Sequence, residues 1–130
     1  MILVDSSVWI DFLSRSPGSG GRELRRLIEE EEPVALTGIV VTEVLQGLTR
    51  DADKIERYMS RFELLEPKGF STYREAAAIV RLARSRGISL TTVDALLAAI
   101  AFDHRATMFS LDKDFARLGP LLPLRLHPLP

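Results

Sequence analysis

Cysteine is missing from this chain. That excludes disulfides, thiolate metal sites and a cysteine nucleophile, and it points to a reducing compartment. Histidine is scarce: His104 and His127 have no partner at ligand spacing, so neither is expected to bind a metal. Long apolar runs are lacking. The longest, residues 95–102, is far too short to span a bilayer. Asp5 interrupts the apolar start, so no signal peptide is expected. Lysine occurs only at Lys54, Lys68 and Lys113. The remaining positive charge is arginine, which suits bidentate phosphate contacts and is equally common in high-GC genomes. A net charge of −1 does not advertise nucleic-acid binding, but a basic face and an acidic pocket coexist at zero net charge. Asn-Gly and Asp-Gly hairpin turns do not occur. These absences imply a soluble cytoplasmic protein without a membrane segment, and a sheet that is not built from hairpins.

What is present is a globular composition, 46% apolar over 130 residues, matching a single domain over 1–130 with one core. Short apolar runs at 2–4, 34–36, 107–110 and 124–126 read as strands. Pro123 puts the last of these at an edge or near its own start. Between them lie helical patterns: Val8, Trp9, Phe12 and Leu13 on one face, then 22–32, a helix reaching Thr49, one through Phe62, and 71–85 with Gly87 as its stop. A nearly all-apolar helix covers 93–104, and a short one 112–118. Residues 17–21, Pro-Gly-Ser-Gly-Gly, read as a flexible turn. Residues 63–66 are ambiguous between helix end and strand. Strands alternating with helices predict an α/β fold, a three-layer α/β/α sandwich around a central parallel sheet.

In such sheets ligands sit beyond the carboxyl ends of the strands, so acids that follow strands carry the chemical interest. Asp5 ends the first strand. Glu43 lies early in the helix after the second, among apolar neighbours. Asp94 opens the apolar helix. Asp112 follows residues 107–111, with Asp114 two further on. A buried unpaired carboxylate is unfavourable, and two unit charges 5 Å apart repel by roughly 3 kcal/mol at an effective dielectric near 20. Converging carboxylates therefore need a cation. An all-oxygen donor set favours Mg²⁺ or Mn²⁺ over zinc, and a phosphodiester is the matching substrate. Helix capping or dipole stabilisation is the alternative for Asp5, Asp94, Asp112 and Asp114. For Asp114 it is the favoured reading. Glu43 has the weakest alternative, a buried arginine partner.

Four blocks carry a family likeness. Ile2-Leu-Val-Asp-Ser-Ser-Val-Trp-Ile-Asp-Phe-Leu13 resembles the opening motif of PIN-domain toxins of the VapC type. Thr42-Glu43-Val-Leu-Gln-Gly47, Thr91-Thr-Val-Asp-Ala-Leu-Leu-Ala-Ala99 and Ser110-Leu-Asp-Lys-Asp-Phe115 follow in the family's order and near its spacing. The resemblance implies a Mg²⁺- or Mn²⁺-dependent endoribonuclease, the toxin of a type II toxin–antitoxin pair, neutralised by a cognate VapB-type antitoxin. It implies a homodimer and a higher assembly with the antitoxin. It places the four acids at Asp5, Glu43, Asp94 and Asp112, with Asp114 as an accessory metal ligand acting through water. Asp5 would be the central ligand, and metal-activated water would attack the RNA phosphodiester. Glu43 and Asp94 both qualify as the acceptor of its proton. The family's usual Thr is here Ser6, which keeps the hydroxyl and would orient a water. Thr91 is expected to cap its helix, with phosphate contact as the other role.

Two competing functions are weaker. A phosphoaspartate receiver wants an acid ending the middle strand and a lysine after a late one, and residues 34–36 and 107–110 supply neither. A non-catalytic PIN module that only binds RNA or protein sits poorly with a complete acidic set. Trp9 reads as core or interface rather than as a base-stacking platform. Arg81, Arg84 and Arg86 read equally as an RNA path or a solvated face. Gly47 reads as a close-packing position or a tolerated helix glycine.

Overall fold

The computed structural model describes residues 1–129. Four short strands form one parallel sheet: β1 (Ile2–Val4), β2 (Val34–Thr37), β3 (Glu63–Leu65) and β4 (Thr107–Phe109), in the order β3-β2-β1-β4. The central strand, β1, pairs Leu3 with Ala35 on one side and Met108 on the other. Leu3, Val4, Ala35, Met108 and Phe109 are fully buried. Such burial on both faces is what continuous apolar strands of a parallel sheet require.

Among the described residues seven α-helices accompany the strands, six between them and the last after β4: α1 (Ser6–Phe12), α2 (Ser19–Glu29), α3 (Gly38–Gln46), α4 (Ala52–Met59), α5 (Phe70–Ser85), α6 (Thr92–Asp103) and α7 (Lys113–Leu118). The steps from β1 to β2 and from β2 to β3 move one way across the sheet. The step from β3 to β4 returns past both. Right-handed crossovers in opposite directions put their helices on opposite faces, giving three layers. The order reverses beside β1, so the crevice at the carboxyl ends of β1 and β4 is the switch point where such sheets bind ligands. Among the described residues no helix is long and apolar enough to cross a membrane.

Three expectations change. The ambiguous 63–66 stretch is a strand at the sheet edge, paired Leu36 to Leu64. The expected strand at 124–126 is a single bridge, Leu126 to Met108. It is held by Met108 N–H to the Arg125 carbonyl and His127 N–H to the Met108 carbonyl, each 2.8 Å. Pro123 and Pro128 have no N–H to extend that ladder. The Gly-rich turn is partly helix: α2 starts at Ser19, and Gly20 and Gly21 are buried in its first turn.

Those glycines serve close approach. A Cβ on Gly21 would stand 2.8 Å from the Phe12 backbone nitrogen, and one on Gly20 2.6 Å from the Leu111 side chain. Asp11, to which the sequence assigned no role, closes the same junction. Its carboxylate accepts from Gly18 N–H at 3.0 and 3.1 Å and from Gly21 N–H at 2.7 Å. Those amides hold its pKa below the usual carboxylate range, as expected for an acid at a helix N-terminus. Gly21→Ala is expected to destabilise by about 1–3 kcal/mol, because the obstacle is backbone. Gly38, where a Cβ would meet nothing within 4 Å, is the control: Gly38→Ala should be neutral or slightly stabilising. Urea midpoints of the two variants check the difference.

The end of α5 follows the expected stop. Gly87 takes φ 73°, and Ile88 N–H reaches the Ala83 carbonyl at 2.8 Å, the left-handed helix stop that glycine favours. Gly47 ends α3 with φ −87° and only ordinary contacts around it, so close packing is not its reason. Trp9 is fully buried, with ring centroids 5.3 Å from Phe62, 5.8 Å from Phe12 and 6.4 Å from Tyr58. Base stacking by Trp9 is thereby excluded.

Candidate active site

β1 delivers Asp5 to the switch-point mouth. Val4 pairs with Phe109, and Asp5 N–H bonds to the Phe109 carbonyl at 2.8 Å. Asp5 stands at the N-cap position of α1, but its side chain makes no cap bond. The carboxylate is almost wholly buried, at 5% exposure. One oxygen, Oδ2, accepts from Ser7 Oγ at 2.9 Å and from Ser110 Oγ at 2.8 Å.

The second strand end does similar work. Thr37 caps α3 by accepting from Val40 N–H at 3.2 Å, which fixes the helix start. Glu43 follows, half-buried, with Oε1 accepting from Ser6 Oγ at 3.1 Å. Ser6 thus directs its one hydroxyl proton to Glu43. At α6, Thr91 Oγ1 accepts from Asp94 N–H at 3.1 Å. The Thr91 hydroxyl is a cap, and it sets Asp94 in the first turn.

Asp94 reports how these acids lie. Its carboxyl is pushed above the ordinary range, first by burial and then by the negative charges of Asp112, Asp5 and Glu43; the Thr91 cap acts the other way. Residues from four separate chain regions therefore share one electrostatic neighbourhood. Asp112 is exposed, and its Oδ1 caps α7 through Asp114 N–H at 2.9 Å. Asp114 turns elsewhere, pairing with Arg117 Nη1 at 3.1 Å. Asp5, Glu43, Asp94 and Asp112 thus lie within electrostatic reach of one another, while one oxygen of Asp114 pairs with Arg117. Among the described residues no three His, Asp or Glu side chains close tightly enough to clasp an ion as they stand.

Does this donor set fit a divalent cation? It is all oxygen and rich in negative charge, and the repulsion on Asp94 is the penalty that a cation removes. It fits. A separate acidic pair is Glu75 with Asp103. Glu75 is pushed up in pKa by the neighbouring Asp103 carboxyl and by burial, while Thr72 Oγ1 donates to Asp103 Oδ2 at 2.6 Å.

The histidines have structural partners. His127 Nε2 meets Glu23 Oε2 at 2.6 Å and its ring packs 4.7 Å from Phe109. His104 Nε2 lies 2.7 Å from the Glu66 carbonyl. Arg81, Arg84 and Arg86 are exposed, which leaves both of their readings standing. Ser110 is the residue that sequence reasoning passed over. Its signal was a hydroxyl closing β4, the counterpart of the two hydroxyls that follow β1.

Known proteins resemble this chain along nearly its full length. The family model for the PIN domain matches residues 2–120. A VapC ribonuclease of Mycobacterium bovis is 32% identical over 119 residues, covering 88% of this chain and 89% of that protein. Among solved structures, the DNA-bound VapBC of Salmonella typhimurium superposes with a TM-score of 0.76 at 16% identity, covering 97% of this chain and 96% of that one. VapC20 of Mycobacterium tuberculosis, described as a sarcin-ricin loop cleaving toxin, gives 0.69 at 18% identity, with full coverage of both chains. At such identities the structural likeness speaks for the fold alone.

Proposed function

The chain belongs to the PIN-domain family and, within it, to the VapC proteins; from that premise we propose that it is a divalent-cation-dependent endoribonuclease, the toxin of a toxin–antitoxin pair. The observation that carries the chemistry is the convergence of acids at the carboxyl end of the sheet: Ser110 joins Asp5 to Asp112, Ser6 joins the same strand end to Glu43, and burial together with the charges of Asp112, Asp5 and Glu43 pushes the Asp94 carboxyl up. Four carboxylates at the switch point of a parallel sheet concentrate more negative charge than folding alone favours.

Asp5, Glu43, Asp94 and Asp112 would hold Mg²⁺ or Mn²⁺. Such an ion lowers the pKa of a coordinated water and offsets charge on a phosphoryl oxygen. The chain supplies the rest. Ser7 and Ser110 fix Asp5, and Ser6 fixes Glu43. Glu43 and Asp94 are the bases available to take a proton from the attacking water. Thr91 sets Asp94 through its backbone, so a phosphate contact is not needed to explain it. Asp114 pairs with Arg117 and would be an accessory to the ion acting through water.

The cell compartment that fits this activity is the cytoplasm, where RNA is available. The partners are an RNA substrate, a VapB-type antitoxin and a second copy of this chain, with the antitoxin joining in a larger assembly. The acidic mouth also suits inhibition by a basic antitoxin side chain that competes with the cation.

Incubation of the purified chain with RNA is the direct test. Cleavage is expected with Mg²⁺ or Mn²⁺, to fall to background in excess EDTA, and to return when the ion is restored. Undiminished cleavage in EDTA would overturn the metal dependence, and intact RNA under every condition the nuclease reading itself.

A further inference from the structure

Asp5 is fixed by an arrangement with a consequence for ion binding. A hydroxyl has one proton to donate and two lone pairs to accept. Ser110 Oγ accepts from Asp112 N–H at 3.0 Å, and Ser7 Oγ accepts from Leu111 N–H at 3.1 Å. Each peptide amide occupies a lone pair and leaves the hydroxyl proton to turn toward the ionised carboxylate, which only accepts. Both protons reach the same oxygen, Asp5 Oδ2, at 2.8 and 2.9 Å. The two hydroxyl oxygens stand 3.5 Å apart, side by side over that atom. Oδ1 receives no hydrogen bond from a described residue. A carboxylate held for packing alone would gain more by sharing donors between its oxygens. Here both donors crowd one oxygen, and the other is left without a donor among the described residues.

We propose that Ser7 and Ser110 are positioning residues for a divalent cation: they clamp Asp5 Oδ2 and so present Oδ1 as a preset ligand. This rests on reading the acidic mouth as a cation site. Ser110 has a second effect. The same hydroxyl that donates to Asp5 receives Asp112 N–H, so one atom sets the spacing between acids 107 positions apart in the chain. The clamp lets the mouth bind an ion without first immobilising Asp5, and part of the ordering is done by folding. Hydrogen-bond partners of metal ligands typically change metal affinity by about 10–100-fold when removed.

The test is Mn²⁺ binding to the full chain without RNA, followed by calorimetry or by the EPR signal of free Mn²⁺. Ser110→Ala and Ser7→Ala are each expected to weaken Mn²⁺ about 10–100-fold. Ser110→Thr keeps the hydroxyl and should retain affinity, whereas Ser110→Val, of the same shape without it, should not. Thr and Val variants that bind equally would overturn the proposal, as would alanine variants that melt lower in EDTA but bind Mn²⁺ like the parent. The Thr/Val pair and Ser7→Ala decide the matter even where Ser110→Ala fails to fold. RNA cleavage is read separately. A parent chain that binds Mn²⁺ and shows the Ser110 effect but cuts no RNA leaves this inference standing and removes the nuclease reading. A parent that binds no Mn²⁺ removes both.

Discussion

An Asp94→Asn protein is expected to cut RNA at least about a thousandfold more slowly, a loss of about 4 kcal/mol of transition-state stabilisation, and yet to melt at a higher temperature than its parent in EDTA. Both effects come from one cause. Asp94 is partly desolvated and faces the charges of Asp112, Asp5 and Glu43. Its folded-state pKa therefore lies above its unfolded value. For an acid shifted in that direction, the charge opposes folding. The penalty is absent below the unfolded pKa, grows as pH rises from there to the folded one, and is constant above it. Asparagine removes the charge while keeping the shape, so the ion-free mouth becomes easier to fold. A divalent cation inverts the order. An ion that binds only the folded parent adds about 2.7 kcal/mol when its concentration is a hundred times its dissociation constant. The variant, lacking one carboxylate, gains less. Melting curves at neutral pH with EDTA and with Mn²⁺ should therefore cross in rank. Equal melting of parent and variant in EDTA would remove the repulsion argument, and full cleavage by the variant would remove Asp94 from the site.

Trp9→Ala should produce the largest stability loss, about 3–5 kcal/mol. Native domains have only about 5–15 kcal/mol to lose. Trp9 is fully buried, and Phe12, Tyr58 and Phe62 all pack against its ring. Those residues join α1 to α4 and to the entry of β3, so the cavity would loosen elements from three parts of the chain. Burial of the indole N–H has no compensating bond, since Nε1 has no hydrogen-bond partner among the described residues. Trp9→Phe gives up ring volume but also removes that unsatisfied donor, and it should lose much less than the alanine variant. Denaturant unfolding separates the two. An alanine variant within about 1 kcal/mol of the parent (about one decade or less in the folding constant) would show that the aromatic cluster is not central.

The parts of this molecule that the sequence announces are those where one residue contradicts its neighbours. Asp5 interrupts an aliphatic strand, Glu43 and Asp94 interrupt apolar helices, and strand-helix alternation without hairpin turns is enough for a parallel sheet. Features set by partners distant in the chain were not legible. Gly20 and Gly21 look like a loop until Leu111 and the Phe12 backbone are seen against them. Residues 63–65 are too short and too mixed to declare a strand, and only pairing with β2 makes them one. Ser110 resembles any surface serine, because its meaning lies 105 positions away at Asp5. Asp114 shows the converse. Spacing from Asp112 suggested a shared role, but one helical turn brings Arg117 within reach.

The single bridge between Leu126 and Met108 also bears on how the protein behaves in crowded solution. An open sheet offers unpaired amides and carbonyls at its two borders, and each is a template for another chain. Along β4 that template is taken by residues 125–127, which use both the N–H and the carbonyl of Met108. Pro123 and Pro128 flank the segment and cannot pass the pairing on. Along β3 the border is only three residues long and opens with exposed Glu63. A fibril-like stack of sheets therefore finds its β4 border already occupied, and its β3 border is a single three-residue strand.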